Sequence, residues 1–280
     1  MTDSKFNALI KLLDDNDQEV ANQVEGELFN LGTQGIGRLE QVWEKCEDVG
    51  LQDRLEDLIG RIQTVHFTDE LLDWRRQGGE DLIAGWLIVN QFQYPTLNVQ
   101  KYRNEISKLV NRIWLQMNGR MKDIERLCLI NKFIYGTENF TGNYKNNERA
   151  DNNYLSVLID KKMGNSLSMS TFYSIICHQL ELPVQVINFA GYYSLRYIQQ
   201  DAHCYIDAYN KGMFFTLQQV QQFLKKLKVD ENVYHYKPLS NIYIVLDLIQ
   251  ALAHSYKHQR EERRAARFMK LLQDIEIKFD

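Results

Sequence analysis

Residues 164–209 read GNSLSMSTFYSIICHQLELPVQVINFAGYYSLRYIQQDAHCYIDAY, a polar opening, an apolar continuation and then short alternating runs. No other stretch constrains the fold as tightly. The opening serines and the absence of Gly or Pro up to Leu182 predict a helix from Ser166 to about Leu180. Pro183 ends it, and the alternation that follows predicts strands at 184–190, 192–198 and 203–209. If Tyr192 stands opposite Asp207, then Ser194 faces Tyr205 and Arg196 faces His203 across one hairpin. A further short strand is expected at 213–216, with Thr216 capping a helix to about 227.

Helices dominate the rest. Residues 4–64 read as two helix pairs. In the first, Phe6, Leu9, Ile10 and Leu13 form an apolar stripe, and Asn16 with Glu19 reads as a capping pair that restarts the chain. The apolar set Val20, Val24, Leu28 and Leu31 recurs as Leu51, Leu55, Ile59 and Ile62, a weak repeat of the kind found in stacked HEAT-like units. Further helices are expected at 68–77, 80–93, 98–117 and 122–136, broken at Gly78-Gly79 and Tyr94-Pro95. The stretch from Leu82 to Phe92 is apolar on every side, which predicts a buried helix. Residues 137–163 are rich in asparagine, suited to turns and side-chain-to-backbone bonds, with a short helix at about 153–162. Phe140, Tyr144 and Tyr154 favour an ordered loop there. Two helices at about 239–256 and 259–277 form a closing hairpin of tetratricopeptide-like appearance.

Composition narrows the function classes. With 280 residues, 44% of them hydrophobic, the chain can bury a sizeable core, and a net charge of −4 does not fit a general nucleic-acid binder. No apolar run reaches the length of about 20 residues that a membrane helix needs, so neither nucleic acid nor membrane is an expected partner. The N-terminus is amphipathic and acidic, without a secretory pattern, which points to the cytoplasm. The cysteines Cys46, Cys128, Cys177 and Cys204 are scattered, with neither metal-ligand spacing nor disulfide density. His254 and His258 share a helix face but lack the glutamate of a metalloprotease helix. No metal and no cofactor is expected.

Phe140-Thr141-Gly142-Asn143-Tyr144, then Asn152, Leu155, Val157-Leu158, Gly164, Leu167-Ser168, Leu182-Pro183 and Ile206-Asp207 together resemble the SirB-type transglutaminase-like proteins of bacteria. The resemblance implies an α+β, mostly helical fold: a papain/transglutaminase-like core, with a helix packed on a small antiparallel sheet, flanked by helical regions. It divides the chain into a HEAT-like region at 1–66, a transglutaminase-like region at 67–236 (helical lead-in 67–136, core 137–236) and a tetratricopeptide-like hairpin at 237–280. Family members usually read Phe-Ile-Asp-Pro-Phe where this chain has Tyr205-Ile206-Asp207-Ala208-Tyr209. They often show Gly-His where this chain has Gly191-Tyr192.

In an active core of this type, the nucleophilic Cys opens the central helix and a strand His and Asp serve it. Counting back from Pro183, the resemblance puts these three roles on Ser166, Tyr192 and Asp207. Serine needs a general base, and a phenol with an ordinary pKa near 10 is a poor one at neutral pH. His203 and Cys204 are strand neighbours pointing to opposite faces, and Cys177-His178 lies far down the helix from Ser166. The expectation is therefore a relic triad without catalysis. Around it Ser168, Ser194, Arg196, Tyr205, Asn143 and Tyr144 are candidates for binding a protein or peptide partner. The competing reading is a residual hydrolase or acyltransferase using Ser166 or one of the cysteines.

Overall fold

The computed structural model describes residues 1–15, 17–199, 202–226, 228 and 233–277. It is α+β and mostly helical, as expected, and its contacts gather into two units, Met1–Asp73 with Gln273–Asp280 and Trp74–Leu272.

The first unit holds α1 (Asp3–Leu13), α2 (Gln18–Phe29), α3 (Thr33–Lys45) and most of α4 (Val49–Arg76). Phe6, Leu9 and Leu13 of α1 meet Val24 and Leu28 of α2 and Leu55, Ile59 and Ile62 of α4 in one core, so both copies of the apolar repeat face inward together. The cap of α2 is Asp17, whose carboxylate accepts the N–H groups of Glu19 and Val20; Asn16 lies outside the described residues. The break expected before residue 68 is absent, because α4 runs on to Arg76. Nothing between Arg61 and Gln77 is a Gly or Pro, and the hydroxyls of Thr64 and Thr68 bond back to the carbonyls of Gly60 and Thr64 at 2.8 and 2.7 Å, satisfied inside the helix.

In the second unit, α5 (Leu82–Gln93) is the buried helix its composition requires, capped by Asp81. Then come α6 (Val99–Trp114) and α7 (Asp123–Asn131), which ends in a π-helical turn, Lys132–Thr137. The asparagine-rich segment is clipped in place by a short parallel pair, β1 (Thr141–Gly142) against β2 (Met163–Gly164), with α8 (Leu155–Lys161) between them. α9 (Ser166–Gln179) is buried along most of its length, which is why its apolar residues fall on every side. It packs on a four-stranded antiparallel sheet made of β3 (Val184–Phe189), β4 (Tyr192–Gln199), β5 (Ala202–Asp207) and β6 (Met213–Phe215), in that order. α10 (Leu217–Lys226) follows, with Thr216 and Gln219 capping one another's N–H groups. Last come α11 (Asn241–His258), packed on α5, and the greater part of α12 (Glu262–Ile277).

The β4–β5 register differs from the expected one. Arg196 stands opposite Tyr205 and Ile198 opposite His203, a slip of two residues. The strands pair out to Gln199 and Ala202; Gln200 and Asp201 lie outside the described residues. A slip of two preserves side-chain parity, so Tyr192 and Asp207 still share a face.

Candidate functional site

The β3–β4 hairpin delivers Tyr192. Phe189 pairs with Tyr192, and the two residues between them, Ala190 and Gly191, have φ of 53° and 93°, the left-handed pair that matches the twist of a two-residue hairpin. The Asn188 side chain closes the turn by accepting the Gly191 N–H at 2.6 Å. Tyr192 is therefore the first residue after a tight turn, held at the rim of the sheet.

Its hydroxyl donates to the Asp207 carboxylate, with the oxygens at 2.9 and 2.8 Å. Asn210 completes the cluster. Its backbone N–H meets Asp207 Oδ1 at 3.1 Å, and its amide Nδ2 reaches Asp207 Oδ2 at 2.7 Å and the Tyr192 hydroxyl at 3.1 Å. Both carboxylate oxygens are thus occupied by donors from within the chain. Burial, reinforced by the adjacent Asp207 carboxylate, pushes the Tyr192 phenol well above its ordinary pKa. The phenol stays protonated, donates to Asp207, and does not serve as a base near neutrality.

Ser166 stands apart from this cluster. It is the first residue of α9, and its Oγ accepts the Tyr193 N–H at 3.4 Å. Asn165, the N-cap, bonds reciprocally with Ser168: its Oδ1 accepts the Ser168 N–H at 2.9 Å, and Ser168 Oγ accepts the Asn165 N–H at 3.0 Å. The helix N-terminus that would favour an anionic nucleophile is present. Among the described residues, no hydrogen bond joins Ser166 to Tyr192, to Asp207 or to any histidine.

Burial disfavours the thiolate at two of the cysteines. Cys177 is fully buried and its thiol is pushed well up by that burial, and burial also raises Cys204. Of the histidines, the half-buried His66 sits beside Glu70 at 3.4 Å and the exposed His258 beside Glu148 at 2.9 Å. Among the described residues, no group of three His, Cys, Asp or Glu side chains is arranged to hold a metal ion.

Of the remaining candidates, Tyr144 joins the cluster. Its hydroxyl donates to the Tyr209 carbonyl at 2.9 Å and lies 3.3 Å from Asn210 Oδ1, with its ring edge-on to Tyr209. Asn143 is one step removed, its amide bonded to Asn152 at 3.0 Å, while Asn152 in turn holds the carbonyls of Asn146 and Asn147. The asparagines are the internal scaffold of the loop. Ser168 and Ser194 are fully buried, and the Ser194 hydroxyl donates to the Ile206 carbonyl at 2.9 Å. Tyr205 packs with Phe189, Val220 and Leu224 under α10. Arg196 turns away from the cluster, donating to Gln185 Oε1 and to the Tyr236 carbonyl.

Two participants were not singled out in the sequence. Asn210 lies three residues after Asp207, a spacing typical of a carboxylate that closes a turn on a following N–H, and that signal was readable. The second is Asp247 of α11, which accepts the Tyr193 hydroxyl at 2.9 Å. Burial raises the Asp247 carboxyl above its ordinary range, partly offset by that hydrogen bond. No local pattern links residues so far apart in sequence.

Comparison with known proteins agrees with this architecture. The UPF0162 protein of Xylella fastidiosa (strain 9a5c) is 19% identical over 131 residues, 47% of this chain and 47% of its own length. The chain thus matches about half the length of these bacterial relatives. F-box only protein 21 of Mus musculus is 28% identical over 106 residues, covering 35% of this chain and 17% of that protein, and the Homo sapiens protein matches equally. No solved structure matches. The model of the transglutaminase-like superfamily matches residues 100–250, over half of the chain and the whole of the segment from α9 through the sheet. With that segment folded as a helix on an antiparallel sheet, the chain belongs to the transglutaminase-like superfamily.

Proposed function

We propose that this chain is a non-catalytic member of the superfamily, a SirB-type cytoplasmic protein of bacteria that binds a protein or peptide partner. One observation carries the reading: at Tyr192, where the resemblance places the base, the phenol donates to the Asp207 carboxylate. General-base catalysis is worth about 10²–10⁴ in rate, so its loss leaves Ser166 an unactivated hydroxyl. Among the described residues no helix is long and apolar enough to cross a membrane.

By role rather than by compactness, we assign 1–66 as a HEAT-like display region, 67–236 as the transglutaminase-like region and 237–280 as a tetratricopeptide-like hairpin. Such helical units commonly present grooves to partners. The partner is sought by purifying the full chain from its source cells after brief cross-linking, with ester and amide turnover measured alongside. The reading expects a stoichiometric partner and a turnover unchanged by Ser166→Ala. Turnover that falls to the uncatalysed rate in Ser166→Ala would overturn it in favour of a residual hydrolase or acyltransferase.

A further inference from the structure

A cleft of about 770 Å³ opens beside the C-terminal half of α9, at the opposite end of that helix from Ser166. Ile175 of α9, Val184 to Val186 of β3, and the starts of α5 and α11 line it. Among the described residues β3 is an edge strand, paired only with β4. The Val186 carbonyl accepts the Leu239 N–H at 2.8 Å, so the backbone groups of Val186 face away from β4. Alternation along the strand turns those of Val184 the same way, and the Val184 N–H is closed back on the Leu182 carbonyl at 2.8 Å.

Two backbone groups remain: the Val184 carbonyl and the Val186 N–H. Neither has a hydrogen-bond partner among the described residues. They lie side by side on the outer edge, the spacing at which one residue of an extended chain donates to the first and accepts from the second. Unpaired backbone groups in a largely buried strand are rare in native proteins, and they mark where a polar partner belongs. The cleft also has a sign. Asp81 and Arg103 pair with one another at 2.8 Å, which leaves the Glu80 carboxylate without an ion pair among the described residues.

We propose that an extended, basic segment of a partner protein adds to β3 as a further strand, bonding to the Val184 carbonyl and Val186 N–H with a Lys or Arg beside Glu80. This rests on the binding role proposed above and gives it a place and a chemistry. Strand addition of this kind takes its affinity from main-chain bonds and its selectivity from alternate side chains.

The test is a titration of the full ¹⁵N-labelled chain with the capped peptide Val-Lys-Val-Lys-Val. Two control peptides accompany it, one N-methylated at its central residue and one with Glu in place of Lys. The Val186 amide should shift, saturate and gain protection from hydrogen exchange. N-methylation should weaken binding by about two- to tenfold, the net value of one main-chain bond. Glu80→Gln should weaken the Lys peptide by up to about fivefold at low salt, the scale of a rim ion pair. An unmoved Val186 amide at millimolar peptide, or equal binding of the Glu peptide, overturns the proposal. Shifts confined to Tyr144, Tyr192 and Tyr209 would sink the β3 site while leaving the binding role standing. Turnover dependent on Ser166 would remove the binding role without touching the β3 result.

Discussion

Replacing Tyr192 by Phe removes one hydroxyl and leaves the ring contacts with Phe223 and Tyr209 in place. The lost group is a single donor shared between the two oxygens of Asp207, and it is also the acceptor for Asn210 Nδ2. A hydrogen bond to a charged group contributes about 1.5–3 kcal/mol. Asp207 keeps the two Asn210 donors, so it is not stranded, and the loss should fall within that range rather than above it. For a body the size of the second unit, about 2–4 °C per kcal/mol converts this to a fall in Tm of roughly 3–12 °C. Urea unfolding of the variant, of Asp207→Asn and of the double variant gives the coupling directly. Contacting residues of this kind should show an interaction energy of at least about 1 kcal/mol. A loss under about 0.5 kcal/mol, with no coupling, would mean that the phenol is a spectator, and the picture of a clamp at the triad positions would fail.

Other outcomes follow from the same geometry. Ala190 adopts φ of 53° in the two-residue hairpin, so Ala190→Asn, which creates the favoured Asn-Gly pair, should stabilise by about 0.5–1 kcal/mol in thermal denaturation. The Thr171 hydroxyl is buried without a hydrogen-bond partner among the described residues, and Thr171→Val should be neutral or stabilising by up to about 1 kcal/mol, whereas a clear destabilisation would reveal a partner for it. Asp247 has a raised carboxyl pKa in the folded state, so the folded chain holds its proton more tightly than the unfolded chain does. Its stabilising contribution is complete below the unfolded pKa and is lost as pH rises through the folded one. Asp247→Asn should therefore match the parent chain in acid and exceed it in stability at neutral pH. A stability difference that stays constant across that window would show that Asp247 does not titrate with folding.

The core was legible because its signals were local. A polar start followed by an all-round apolar run marks α9, and Pro183 marks where β3 begins. The β4–β5 register was not legible, since nothing between Gln199 and Ala202 names a turn type, yet the period of two kept Tyr192 and Asp207 on one face. The continuity of α4 was hidden because the back-bonding of Thr64 and Thr68 to the preceding turn is not written in apolar periodicity. At the site, the sequence resemblance singled out Ser166, Tyr192 and Asp207, and the structure shows that Tyr192 and Asp207 bond to one another while Ser166 bonds elsewhere. Ser168 and Ser194 look like cleft-lining hydroxyls in the sequence, whereas each bonds to nearby backbone in the interior. Asn210 and Asp247 enter through side-chain geometry. The Asp247–Tyr193 bond joins helix and strand across a separation that no motif spans.

The central claim is that a superfamily core keeps its frame while Tyr192, Asp207 and Asn210 bond among themselves and leave Ser166 unactivated. It is tested most directly by intact-mass measurement of the full chain after incubation with a fluorophosphonate and with an activated acyl ester at neutral pH, beside Ser166→Ala. The account predicts no adduct on Ser166 and identical mass profiles for the two chains. A stoichiometric adduct that maps to Ser166 and vanishes in Ser166→Ala would contradict it.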